Sequence, residues 1–493
     1  MAAEIFRCPN TACLNLGGIQ EEQAICMNGQ DLIAKINSPS AVSVFNKLYG
    51  GNGILCSSDP QKGEVFSLEN VRLRYTALVN GLIEILKEYP DSIEGASEDV
   101  RLFTAAGRTE LGGNHTDHNN GKVLAASIQL DAVAAVVMRN DKKALLRSTG
   151  FPDVKLDITD LAPKKEETGT TESLVRGIAA EFAARGIRAK GFIANADSTV
   201  LKGSGLSSSA AIEVLLGTIF NCLYSGRQFN ELQIAQFGQK AENNYFGKPS
   251  GLMDQAASAS GGVIALDFAV KDNPKVEKID FDPAPFGYAL CVVDTRGSHA
   301  DLTPDYAAIP NEMQGIARFF GKGTLREINI GDIYSNMETI RQKAGDRAVL
   351  RCLHYFNENR RVQTMTEVLK KLPGEVGSSK SGALFNTFLG LVNESGNSSW
   401  ELLQNVFSPR NPAVQSLALA LALSREFFKT MNKVDDAPPG VCRVHGGGFA
   451  GTIQVYIRQE YLEKYKSWME QFFGEKPVTV LRIRHTGTTE IIL

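Results

Sequence analysis

Apolar residues recur along this chain in two rhythms. From about Asn70 to Tyr89, Val71, Tyr75, Leu78, Leu82 and Leu86 fall at helical spacing and predict one long helix. "DVRLFTAAG" then reads as a strand, and "KVLAASIQLDAVAAVVMRND" as a long, largely apolar β-type segment. "KALLRSTG" and "RAKGFIANAD" give further strands, with the polar loop "APKKEETGTTES" between them. "GLSSSAAIEVLLGTIFNCLYS" is apolar nearly all round once its serines are passed, as a buried helix is. A second helix, from about Asn230 to Phe246, leads through "GKPSGLMDQAASASGG" to the strand "GVIALDF".

The strand "YALCVVDT" follows a proline-containing loop near residues 282–286, where the main domain boundary is expected. Helices are predicted beyond it in "YAAIPNEMQGIARFFG", "AVLRCLHYFNENRRVQTMTEVLKKL" and "NPAVQSLALALALSREFFKT". The chain closes as strand–helix–strand–strand, in "GVCRVHGGGFAGTIQVYI", "EYLEKYKSWMEQFF", "PVTVLRIR" and "TEIIL". The first ~65 residues are loosely patterned, with Gly50, Gly51, Asn52 and Gly53 as a breaker. Strands and helices mixed in both halves predict an α+β fold of two layered domains with a cleft between them. The expected division is 1–65 as an N-terminal extension, 66–284 as a first domain and 285–493 as a second.

Composition narrows the function classes. The 493 residues exceed one ordinary core, and 43% hydrophobic with 22% charged residues is that of a soluble globular protein. A formal net charge of −3 gives no reason to expect a nucleic-acid or anionic-membrane partner. The opening "MAAEIFRCPNTACLNLGG" has no apolar signal region, and no apolar run reaches transmembrane length, so a cytoplasmic protein is expected. Eight cysteines are too sparse for a disulfide scaffold, and Cys8, Cys13 and Cys26 lack a fourth ligand at zinc-like spacing. Reduced thiols fit better.

Four stretches carry candidate chemistry. In "KGSGLSSSAA", Gly203 and Gly205 let backbone approach a ligand, and Ser207, Ser208 and Ser209 open the buried helix. Free N–H groups and the positive dipole end suit an anion there, and serine hydroxyls suit Mg2+; an ordinary serine cap fits the same residues. No Gly-Lys-Ser/Thr ends the loop, so it is not a Walker A motif. In "AENNYFGKPSGLMDQ", Glu242 closes one helix and Asp254 opens another. Such acids serve as caps, or as the metal-holding and alcohol-orienting carboxylates of a kinase. "HGGGFAGTIQVYI" demands tight backbone against a ligand or another segment.

The fourth stretch, "GRTELGGNHTDHNNG", crowds Arg108, His115, Asp117 and His118 into a polar, glycine-rich segment. Ligands one to three residues apart rarely converge on one tetrahedral metal, and Arg108 opposes a cation. Short polar side chains suit a carbohydrate, whose hydroxyls each need a donor and an acceptor. Neither Gly-x-Ser-x-Gly nor His-Glu-x-x-His occurs, so the leading hydrolase patterns are absent.

In their order along the chain, the four stretches resemble the GHMP kinase superfamily and, within it, the galactokinase family, over roughly residues 72–493. The resemblance implies a first domain like a domain of ribosomal protein S5, a ferredoxin-like second domain, and transfer of the ATP γ-phosphoryl group to a sugar's anomeric hydroxyl. It implies Asp254 as the catalytic carboxylate and Arg108 as the cation beside it. Asn114, His115, Asp117, Gly251 and Tyr306 would bind the sugar. Gly203, Ser204, Gly205, Leu206, Ser207, Ser208, Ser209 and Ala210 would cradle ATP, with Mg2+ on Ser208, Ser209 and Glu242. "GGGFAG" would support the phosphate loop.

The chain also departs from the family pattern. Ala106 stands for proline, Glu110 for asparagine, Gly112 for isoleucine, Asn114 for glutamate, His118 for tyrosine and Leu201 for proline. None removes the catalytic pair. The glutamate matching Asn114 contacts the sugar's C6 hydroxyl in the family, so substrates related to galactose (galacturonate, N-acetylgalactosamine, arabinose) are alternatives, as is a non-catalytic sensor that binds ATP and galactose. The expected partners are ATP and a small sugar, and a monomer is the default expectation.

Overall fold

The computed structural model describes residues 29–50, 67–89, 99–200, 206–270, 273–297, 302–373, 379–432 and 437–493. Cys8, Cys13, Cys26 and the phosphate-loop residues Gly203, Ser204 and Gly205 lie outside them.

Two sheets organise the molecule. The first contains β1 (Arg101–Gly112), β2 (Lys122–Met138), β3 (Lys143–Ser148), β4 (Val154–Asp157), β5 (Phe192–Ser198), β6 (Val263–Asp267) and β7 (Lys275–Ile279). The second contains β8 (Tyr288–Asp294), β9 (Gly440–Val444), β10 (Thr452–Arg458) and β11 (Val478–Leu481); β12 (Thr489–Ile491) returns to the first. The first sheet runs β12-β1-β2-β5-β3-β4, and the free half of β2 pairs with β6, which carries β7. Only β3 and β5 pair in parallel within it. The second sheet runs β11-β8-β10-β9, all antiparallel.

The centre of the first sheet is β2, buried along its length apart from its two end residues. That burial explains its largely apolar sequence, since a strand covered on both faces has no solvent-facing side to alternate. The helices Ser208–Tyr224 and Met253–Ser260 both pack on β1 and β2, and their N-termini meet beside Arg108 of β1.

The predicted long helix spans Leu68–Glu88, capped by Ser67, whose Oγ accepts from Asn70 N at 3.1 Å. Two short helices that the pattern did not predict, Gly29–Ile36 and Ala41–Tyr49, place Leu32, Ile36, Phe45 and Tyr49 in the same core. Eight or nine residues are too few for a period to stand out. The Tyr49 hydroxyl bonds buried Asp131 of β2 at 2.5 Å, beside Arg74 at 2.6 Å and Arg484 at 2.9 Å.

Elsewhere the structure differs from the sequence pattern in several places, beginning with helix Thr171–Ala183, which takes in the end of the polar loop and was not predicted. "GVCRVHGGGFAGTIQVYI" is a hairpin of β9 and β10 rather than one strand, because Gly446, Gly448 and Gly451 take φ of 67°, 81° and 93° and turn the chain. Helix Ser416–Thr430 starts only after Pro412. Helix Ser379–Ser398 went unread because serine and glycine interrupt its stripe of Phe385, Phe388, Leu389 and Val392. Gly396 lets that helix approach β9 closely: a Cβ there would lie 2.8 Å from Cys442 O. Among the described residues, no helix is long and apolar enough to cross a membrane.

Candidate active site

Strand β1 delivers the first functional side chain. Its register on β2 shifts between Ala106 and Gly107 and again between Glu110 and Gly112, so Arg108 sits between two irregularities. Gly107 allows the close packing there, since a Cβ would lie 3.1 Å from Leu130 O. Arg108 meets Asp254, in the first turn of helix Met253–Ser260, through two parallel bonds: Nε–Oδ1 at 2.6 Å and Nη2–Oδ2 at 2.7 Å. The Arg108 side chain is 5% exposed and that of Asp254 29%, so the carboxylate faces outward with its cation behind it. Ser207, left-handed at φ 58°, also donates its hydroxyl to Asp254 Oδ2. Burial alone would raise the Asp254 pKa, but the charge and hydrogen bonds of Arg108, then Ser207 and Lys248, hold it at about 2. Asp254 is therefore an ionised acceptor at neutral pH.

Beside it, the helix Ser208–Tyr224 turns its N-terminus to the same region, with Ser208 and Ser209 half-buried, and Leu206 and Ala210 buried. Ser209 Oγ donates to Glu242 Oε1 at 3.2 Å, and Lys248 Nζ reaches the same oxygen at 2.7 Å. Glu242 Oε2 accepts from Ser250 Oγ at 2.5 Å and from Gln255 Nε2 at 3.0 Å. Gln255 also bonds Glu213, whose carboxyl is pushed well above its usual range by burial and by the Glu242 charge. Among the described residues, no three carboxylate, histidine or cysteine side chains cluster to hold an ion. Glu242 and the serine hydroxyls nonetheless form an oxygen donor set that suits Mg2+ when phosphate oxygens and water complete it, and Lys248 shows that this carboxylate already attracts a cation.

The loop after β1 forms the third wall. His115 Nε2 lies 2.8 Å from Gly447 O; a carbonyl only accepts, so Nε2 carries the proton. Burial lowers the His115 pKa to about 3 and keeps the ring neutral. Asp117 Oδ1 accepts the His118 N–H at 2.9 Å, and its Oδ2 lies so near Gly251 that a Cβ there would sit 1.7 Å away. Only glycine at 251 permits that contact between the loop and the segment leading to Asp254. Tyr306 donates its hydroxyl to Gly448 O at 3.0 Å and covers Gly447 with its ring, bracing the glycine turn.

Asn114 is buried, and its side chain is engaged within the protein. Nδ2 donates to Gly446 O at 2.6 Å and faces both Glu110 oxygens at 3.2 Å, while Oδ1 accepts from Asn405 at 2.8 Å. Glu110 is ion-paired with Arg443, 2% and 0% exposed. Burial raises the Glu110 carboxyl, against the pull of Arg443 and Arg108. Sequence patterns marked Glu110 and Asn114 as departures but not their bonds to Arg443 and Asn405, nor those of His445 to Thr109 and Thr452 at 3.0 Å each. They predicted the helix Asp346–Lys371 but not that its side chains reach the loop. The sequence signal for those side chains is polar His354 and Glu358, a turn apart on a buried face that also carries Arg351.

The galactokinase galactose-binding signature matches residues 89–137, and the GHMP kinases N terminal domain matches residues 173–262. The first contains Arg108 and its loop; the second contains the serine helix, Glu242 and Asp254. A galactokinase of Streptomyces lividans is 30% identical over 374 residues, covering 75% of this chain and 85% of the relative. The chain belongs to the galactokinase family. A galactokinase of Streptomyces coelicolor is 29% identical over 392 residues, 78% of this chain and 92% of that one. The fold is shared with solved structures. Lactococcus lactis galactokinase complexed with galactose superposes with TM-score 0.66 at 23% identity, covering 83% of this chain and 99% of that one. Methanococcus jannaschii mevalonate kinase superposes with TM-score 0.52 at 14% identity, covering 78% and 98%. The two-domain α+β architecture is thus that of the GHMP kinases.

Proposed function

We propose that this galactokinase-family enzyme transfers the γ-phosphoryl group of ATP to the anomeric hydroxyl of galactose, giving galactose 1-phosphate and ADP. One observation carries the reading: Asp254, ionised and outward-facing, is gripped bidentately by Arg108 next to the N-terminus of the serine helix. Asp254 accepts a hydrogen bond from the anomeric O–H and takes its proton as that oxygen bonds to the γ-phosphorus. The bond from phosphorus to the ADP oxygen breaks, and its electron pair leaves with ADP. A carboxylate with a pKa of about 2 is a weak base, which suits a loose transition state in which the alcohol loses its proton late. Arg108 fixes the carboxylate and offsets charge on the transferring group. His115, Asp117 and the Gly251 backbone bind the sugar, and Tyr306 holds the glycine turn against it. Ser208, Ser209 and Glu242 would hold Mg2+, which supplies charge neutralisation on the phosphates.

Cys222, Cys291, Cys352 and Cys442 carry free thiols, and on that basis we assign the enzyme to the cytoplasm. The division into sugar-and-phosphate and C-terminal domains near residue 285 is supported by the change of sheet between β7 and β8. A second substrate reading, galacturonate, draws on Asn114, which puts no carboxylate where the family's glutamate faces C6 and whose amide is bonded to Glu110, Gly446 and Asn405.

The test is ADP release from MgATP with galactose, galacturonate, N-acetylgalactosamine and arabinose, with Asp254→Asn as control. Turnover of galactose that disappears in the variant supports the reading. Preference for galacturonate replaces the substrate, and binding of ATP and galactose without turnover by the unmodified protein removes the kinase in favour of a sensor.

A further inference from the structure

The sugar loop turns through an unusual corner. Gly113 has φ 95° and His115 has φ 57°, so two left-handed residues flank Asn114. A non-glycine residue held there is strained, and a neighbouring structure must over-determine it. The two peptide groups that define the corner are the Gly113 N–H and the Asn114 C=O. Both are bonded by one helix, Asp346–Lys371. Glu358 Oε1 accepts from Gly113 N at 3.0 Å, and His354 Nε2 lies 2.9 Å from Asn114 O. The two side chains are one turn apart and fully buried.

Each is itself anchored to the helix Ser379–Ser398. Ser395 Oγ donates to Glu358 Oε1 at 2.6 Å, while Arg361 pairs with its other oxygen. His354 Nδ1 lies 2.8 Å from Ser398 Oγ. Because the Asn114 carbonyl only accepts, Nε2 carries the proton and Nδ1 accepts from Ser398, so a single tautomer satisfies both bonds. The same helix also grips the far end of the loop. The Tyr355 hydroxyl donates to Asn119 O at 2.9 Å, and Asn359 Oδ1 accepts from Lys122 N at 2.6 Å.

We infer that His354, Tyr355, Glu358 and Asn359 form a clamp across the base of the sugar loop, and that His354 and Glu358 are positioning residues that set the left-handed turn aiming His115 and Asp117 at the sugar. The inference rests on the sugar-binding reading of that loop. It makes sugar affinity depend on a helix from the far half of the chain, while the nucleotide side stays indifferent to it.

The test compares His354→Leu and His354→Gln with the unmodified protein, measuring KM for galactose and for ATP, galactose binding by calorimetry, and thermal melting. His354→Leu leaves the Asn114 carbonyl without its donor and is expected to weaken galactose about tenfold, with the ATP KM moving less than about twofold. The glutamine amide can donate to that carbonyl, so His354→Gln recovers most of the loss. An unchanged galactose affinity in folded His354→Leu, a parallel rise in both KM values, or no recovery with glutamine overturns the inference. Should His354→Leu fail to fold, Tyr355→Phe removes one hydroxyl of the same clamp and is expected to raise the galactose KM roughly threefold at unchanged ATP KM; no rise overturns it. Calorimetry needs no turnover, so an unmodified protein that binds galactose without phosphorylating it defeats the kinase reading and still reports on the clamp.

Discussion

Arg108 and Glu110 sit two residues apart on β1, and each has an ion-pair partner far along the chain. Arg108 and Asp254 form a pair whose carboxylate is open to a substrate. Glu110 and Arg443 form a pair sealed beneath the glycine turn, with the Asn114 amide laid across it. The chemistry of the two pairs is the same; their surroundings differ. Burial raises the Asp254 pKa too, but a bidentate cation, a serine hydroxyl and a nearby lysine overcome it, whereas at Glu110 burial prevails. An open pair is arranged to act on something else. A sealed one holds two segments together, and its worth lies mostly in what breaking it would cost.

Substitutions separate the two roles. Asp254→Asn keeps the shape and removes the base, so turnover should fall about 10³-fold while ATP and galactose still bind and the melting temperature barely moves; steady-state kinetics with calorimetry checks this. Arg443→Met leaves Glu110 buried without its cation and should cost about 4 kcal/mol in a denaturant titration. The remaining folded enzyme should turn over at close to the normal rate, and Glu110→Gln on that background should restore part of the stability. If Arg443→Met instead lowered kcat as much as Asp254→Asn does, the contrast between the pairs would be gone.

Arg108→Met should lower kcat about 10²-fold by removing a cation beside the transferring group. It should also move the acid limb of the rate profile. On the proposed mechanism, activity needs Asp254 ionised and should be lost as pH falls through its pKa, which is about 2 with Arg108 in place and higher without it. The smallest effect is on stability. A carboxylate whose folded pKa lies below the unfolded value of ~3.9 contributes stability that is complete above the unfolded value and lost as pH falls toward the folded one. For Asp254 the window is about pH 4 down to pH 2, and solvent at its outward face limits the amount to roughly 1 kcal/mol. Asp254→Asn should abolish that part of the acid slope.

How much of the site could be read from sequence tracks this same contrast. Arg108, Ser207, His115, Asp117 and Asp254 sit in short stretches where glycine, serine and asparagine cluster, because a backbone that approaches a ligand needs those residues locally. Glu110 lies in the same motif and was legible there as a departure, but its pairing was not, because Arg443 lies 333 residues away inside an ordinary strand pattern. His354 and Glu358 interrupt the buried stripe of a predicted helix, but their contacts with the loop, like those of Asn405, are made only by tertiary packing. Asn114 was legible as a departure in the motif, but its bonds to Asn405 and Gly446 were not. The long helices and β2 declared themselves through periodicity, whereas Gly29–Ile36 and Ala41–Tyr49 were too short, and Ser379–Ser398 too rich in serine and glycine, to do so.

The placement of β12 has a consequence for synthesis. Leu102, Phe103 and Thr104 of β1 pair with Ile491, Glu490 and Thr489, and Arg101 holds Glu490 at 2.6 Å across 389 residues. A ribosome adding about 5–20 residues per second takes roughly 20–80 s to cover that distance. During that interval the strand carrying Arg108 lacks its outer neighbour and presents an unpaired edge, the kind of template on which nascent chains join one another. Arg108 is among the first parts of the candidate site to be made, and its strand is among the last to be enclosed.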